Sequence, residues 1–164
     1  MDNLTDLYQQ VILDHNRRPR NFGKLPSATS SVEGHNPVCG DHIVVHVRKT
    51  GDLIDEVAFE GSGCAISRAS ASLMTQAVSG KSVEDAERLF RDFQSLVTAD
   101  PSVPSRPEQV ARVGKLAALG GVRAFPSRIK CATSRCAEPS KMQSTKRPIS
   151  PEVASRRLTR GDHR

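Results

Sequence analysis

Cys39, Cys64 and Cys131 place three thiols in three separate, turn-rich stretches of a 164-residue chain. Asp41 stands two residues after the first, in the run Asn36-Pro37-Val38-Cys39-Gly40-Asp41. Thiolates and a carboxylate gathered from distant stretches form a donor set for a single zinc ion, which favours tetrahedral sites of sulfur, nitrogen and oxygen. In an extended segment the side chains of Cys39 and Asp41 fall on one side, and Gly40 lets the backbone bend close to an ion. Cys64 follows Gly61-Ser62-Gly63 and opens a helical pattern. There, free N–H groups and the helix dipole favour a thiolate. Cys131 has to return from the far end of the chain, so a shared ion would staple the two halves together. Such a set around one divalent ion keeps a net negative charge, which Arg128 and Lys130 beside Cys131 are placed to offset. A carboxylate is a harder ligand than a thiolate, so Asp41 makes the set more exchangeable than four thiolates and points towards transfer chemistry. Spacing alone leaves two other readings open: buried structural cysteines and independently reactive thiols.

The elements that must position these residues follow from periodicity. Leu4, Leu7, Val11 and Ile12 form one face of an amphipathic helix over 4–15, with Asn3 or Thr5 near its cap. A weak strand is expected over 29–35 and a β-branched one over 42–48. The turn Lys49-Thr50-Gly51-Asp52 leads into a third strand over 53–60, making a hairpin. After Cys64, the positions Ile66, Ala69, Leu73, Ala77 and Val78 predict a helix stopped near Gly80. Ser82-Val83-Glu84-Asp85 caps the next helix, whose apolar face runs from Val83 to Val97. That face reads as core, with docking to a partner as the other option. Residues 101–107 are a Pro-rich turn, 108–119 one further helix, and Pro126 opens a last helix carrying Cys131. The fold class is α+β: an N-terminal helix, a three-stranded antiparallel sheet and helices packed on one face.

Composition divides the chain at residue 133. Residues 1–133 carry 16 Lys and Arg against 15 Asp and Glu, whereas residues 134–164 carry 8 against 3, so most of the +6 lies in the tail. A near-neutral body has no electrostatic footprint for nucleic acid. The tail is rich in Ser, Pro, Lys and Arg with no repeating apolar face, and it reads as disordered. Cys136 and the basic residues of the tail lack the aromatic and apolar company of a binding site. No stretch approaches the roughly 20 apolar residues of a membrane span. The N-terminus lacks the pattern of a signal peptide. A cytoplasmic location is therefore expected, where cysteines serve as ligands or nucleophiles more often than as disulfides. His15, His35, His42 and His46 read as surface or half-buried side chains, with His42 and His46 facing one way along their strand. His42 is also close enough to Asp41 to support the ligands.

Four stretches in order resemble the iron–sulfur cluster assembly scaffold family of IscU and the NifU N-terminal domain, and within it the SufU-type branch. They are residues 14–21 (Asp14-His15-Asn16-Arg17-Arg18-Pro19-Arg20-Asn21), residues 36–41, residues 59–74 from Phe59 to Met74, and residues 125–132 from Phe125 to Ala132. Lys130 stands where ordinary scaffolds have His before the third cysteine, and residues 82–107 match the insertion of the SufU-type branch. The resemblance covers 1–133. It implies that Cys39, Asp41, Cys64 and Cys131 hold a metal, normally zinc, with iron or a transient 2Fe–2S cluster as the scaffold alternative. It implies a partner too, a SufS-like cysteine desulfurase that uses pyridoxal phosphate, whose persulfide sulfur is taken up when one of its side chains displaces a cysteine from zinc. Downstream SUF assembly proteins and apo iron–sulfur targets would follow. Cys39 is the expected acceptor, being in the exposed loop with the weakest ligand, ahead of Cys64 and Cys131. A structural zinc adaptor that recruits partners is a further alternative.

Two departures stand out. Asn16 replaces an aromatic residue of the family. After Thr133 the family continues into an apolar helix, whereas this chain turns to Ser134-Arg135-Cys136-Ala137-Glu138-Pro139, as an out-of-frame reading of a GC-rich gene would. A lineage-specific tail is the other explanation. Either way, part of a core-covering helix is expected to be missing.

Overall fold

The computed structural model describes residues 3–133 of the chain. The expected disorder and the missing helix of 134–164, and Cys136 with them, lie outside the described residues.

Helix α1 spans Asn3–Arg17. Strands β1 (Ser30–Asn36), β2 (Asp41–Thr50) and β3 (Leu53–Ser62) form an antiparallel sheet in sequential order. The period-two pattern of β2 puts Asp41, Ile43, Val45 and Val47 on the buried face. Across the strands, Val32 pairs with Val45, Val45 with Phe59, and Val47 with Val57, so one face of the sheet is continuous core. Gly51, with φ of 59°, starts the two-residue turn between Thr50 and Leu53.

Helix α2 (Ala65–Val78) packs on that face, and α1 and α3 (Val83–Thr98) pack in turn against α2. Ser82 caps α3 by accepting from the Asp85 N–H at 3.1 Å, as the capping pattern predicts. Val83, Ala86, Phe90, Phe93, Leu96 and Val97 are buried, so the apolar face of α3 is core. Fully burying one such side chain contributes about 1.5–3 kcal/mol, which is why a chain this size can hold its site in place.

The helix expected over 108–119 is divided. Helix α4 covers Pro107–Val113, and a 3-10 segment runs from Gly114 to Ala124. Gly114 takes a left-handed φ of 56° and its N–H returns to the Val110 carbonyl, which ends α4. The apolar spacing continues through Leu116 and Leu119, so periodicity alone does not show the break. Helix α5 (Pro126–Ala132) follows with Pro126 in its first turn and Cys131 buried at its end.

Candidate metal and thiol centre

The loop of residues 37–40 joins β1 to β2 at the rim of the sheet, where Asn36 pairs with Asp41. Cys39 sits in this loop and is exposed. Gly40 follows with φ of 69°, a conformation that favours glycine, and turns the chain so that Asp41 enters the core. Asp41 is 2% exposed. A buried carboxylate needs partners, and it has them. Its Oδ1 accepts the Cys64 N–H at 2.8 Å, and its Oδ2 accepts the Ser67 hydroxyl.

Cys64 is the N-cap of α2. Its sulfur accepts from the Ser67 N–H at 3.4 Å and lies 3.9 Å from Asp41 Oδ2. This is the helix-terminus placement expected from the sequence. Gly63 makes room for it, because a Cβ there would stand 3.0 Å from Asp41 Oδ1. Gly61, at φ of 130°, has its Cα against the backbone of His42, and a Cβ would overlap the His42 carbonyl oxygen. The Gly-Ser-Gly run is thus the seat of the carboxylate as well as the end of a strand.

Cys131 reaches the same point from α5. Its sulfur lies 3.2 Å from Cys39 Sγ and 3.9 Å from Asn36 Nδ2, which donates to it. The ligand atoms of Cys39, Asp41 and Cys131 all lie within 4.8 Å of one another. Cys64 joins this trio through Asp41. Burial raises the pKa of the Cys131 thiol, and the hydrogen bond to Cys39 and the nearby Cys64 raise it further. The Cys131 thiol therefore resists ionisation while it is buried beside other thiols. A divalent cation reverses this, since a coordinating thiol is deprotonated. The donor types of Cys39, Asp41 and Cys131, two sulfurs and an oxygen, fit zinc, whereas Cys64 stands outside that close group.

Other expected participants stand elsewhere. His42 follows Asp41 and so takes the opposite face of β2, where its Nε2 pairs with Glu33 Oε1 at 2.5 Å. Its hydrogen bond goes to Glu33 rather than to the ligands, and strand alternation is the reason. His46 shares that outer face, as parity predicts, and bonds Ser31 and Glu60. His15 is buried between α1 and α2 with Nδ1 at 2.7 Å from Ser72 Oγ. Arg128 and Lys130 are exposed on α5, and Arg128 lines an apolar cavity of about 520 Å³ with Tyr8, Ile12, Ile66 and Phe125. Ser67, Gly63 and Asn36 are the site residues that sequence reasoning missed. Asn36 lies within the Cys39 motif, which was its one available signal.

The NifU-like N terminal domain matches residues 7–132 of the chain. The chain is 44% identical over 134 residues to the zinc-dependent sulfurtransferase SufU of Bacillus subtilis, covering 80% of this chain and 85% of that one. It is 41% identical over 133 residues to the iron–sulfur cluster assembly scaffold protein IscU of Streptococcus pyogenes, covering 81% and 80%. The fold matches a Fervidobacterium islandicum crystal structure, described as an iron–sulfur cluster assembly scaffold protein for the SUF system. The TM-score is 0.72 at 26% identity, over 85% of this chain and 98% of that one.

Proposed function

Because the chain belongs to the NifU-like N-terminal domain family, we propose that it accepts persulfide sulfur on Cys39, beside a zinc ion held by Cys39, Asp41, Cys64 and Cys131, during iron–sulfur cluster assembly. The observation that carries this reading is the pairing of an exposed Cys39 with a buried Cys131 at 3.2 Å. One thiol of the set is open to a partner, while Cys64 is half-buried and Cys131 is held inside. Zinc, when bound, keeps the thiols ionised at neutral pH.

The partner is a cysteine desulfurase that presents a persulfide. The Cys39 thiolate attacks the terminal sulfur of that persulfide. A new S–S bond forms at Cys39, the S–S bond of the donor breaks, and the donor cysteine leaves as a thiolate. The transferred sulfur keeps its oxidation state, so the step needs no external oxidant or reductant. Asp41, fixed by the Cys64 N–H and the Ser67 hydroxyl, holds its place while Cys39 moves.

Protein purified without added metal should contain about one zinc per chain, and Cys39→Ala should reduce sulfur uptake from the desulfurase to background. Unchanged uptake in Cys39→Ala would refute the assignment of the acceptor. Cluster scaffolding on the same residues is the second reading, favoured by the near-equal identity to an IscU protein. Lys130 weighs against it. Iron, acid-labile sulfide and broad visible absorbance in the purified protein would establish it instead.

A further inference from the structure

The outer face of the sheet, opposite the thiols, brings together donors that the proposed reaction does not use. His35 and His42 are register partners on β1 and β2, and their ring centroids lie 6.4 Å apart. Glu33 is two residues before His35 and so shares its face, and its Oε1 already touches His42 Nε2 at 2.5 Å. The side chains of His42 and Glu33 are 46% and 67% exposed, and His35 is exposed as well. We infer that His35, His42 and Glu33 form a second divalent-cation site of the borderline first-row class, with solvent completing the coordination.

The chemistry differs from that of the thiol centre. Two imidazoles and a carboxylate form a nitrogen and oxygen set suited to zinc, nickel, copper or iron(II). With ring nitrogens about 2.0–2.1 Å from a tetrahedral ion, the two centroids need to be about 5 Å apart. The rings therefore close by about 1.4 Å, within the reach of exposed side-chain rotation. The ion enters between His42 Nε2 and Glu33 Oε1, taking the position of the proton they share. His46 lies on the same face but has both nitrogens engaged, Nδ1 with Ser31 at 2.8 Å and Nε2 with Glu60 at 3.1 Å. It is therefore a neighbour rather than a ligand, and this distinction makes the site testable.

The full chain, already carrying one equivalent of zinc, is titrated with further zinc ions by calorimetry. The wild type should take up an additional equivalent. His35→Ala and His42→Ala should each weaken it at least tenfold, and Glu33→Gln by a smaller factor. His46→Ala should leave it within twofold of wild type. Cys136 and other donors outside the described residues are unchanged in all these variants, so they cannot reproduce that pattern. An additional equivalent that survives in the His35→Ala/His42→Ala double variant would overturn the inference, as would its loss in His46→Ala. No additional equivalent in the wild type would overturn it as well.

Discussion

The two halves of the thiol centre are built to opposite standards. On the helix side, Asp41 is buried and doubly hydrogen-bonded, Gly61 and Gly63 fit closely against their neighbours, and Cys131 is 2% exposed. On the loop side, Cys39 is exposed, Val38 beside it is 73% exposed, and a Cβ on Gly40 would meet nothing within 4 Å. A rigid cradle holds most of the donors, and an open loop presents the remaining one. A site that only stabilises the fold has no use for this asymmetry. A site that hands one thiol to a partner does.

The largest test of that contrast sets two glycines against each other. Gly61→Ala should lower unfolding free energy by about 3 kcal/mol or more, because strain adds to a backbone overlap. Gly40→Ala should cost only about 1–2 kcal/mol, the left-handed penalty alone. Urea unfolding of both variants would measure the difference, and equal costs would break the comparison. Next, Ser67→Ala removes the hydroxyl that orients Asp41. Zinc affinity should fall about 10–100-fold, read by competition with a chromophoric chelator, while Cys39 stays as exposed as before. The smallest effect concerns His15, away from both halves. Burial, and then Arg20 nearby, lower its pKa from the usual 6.5. The unfolded chain therefore binds the proton more readily. The stability from neutral His15 is present above the unfolded pKa and declines as pH falls from 6.5 towards the folded value. His15→Gln should flatten the fall of the urea midpoint as pH drops below 6.5.

The strands, the Ser82 cap and the N-terminal position of Cys64 were legible because each is a local pattern: alternation, a capping serine, or a turn before a helix. The division at Gly114 was not, since the apolar spacing runs through it and only the sign of φ marks the break. His42 shows a limit of a different kind. Sequence proximity to Asp41 placed it near the ligands, yet one step along a strand reverses the face. Ser67 was invisible because a serine in the first turn of a helix gains a role only when a carboxylate arrives from β2. The candidate ligands were readable as residue types, whereas the support beneath them depends on contacts between distant segments.

Ser70 on α2 donates its hydroxyl to the Ala132 carbonyl at 2.6 Å, and Thr133 bonds back to Ile129. The third cysteine is thus moored by its own neighbours. Among the described residues, the position of the Cys131 sulfur is set by contacts between α2 and α5 rather than by the loop that carries Cys39.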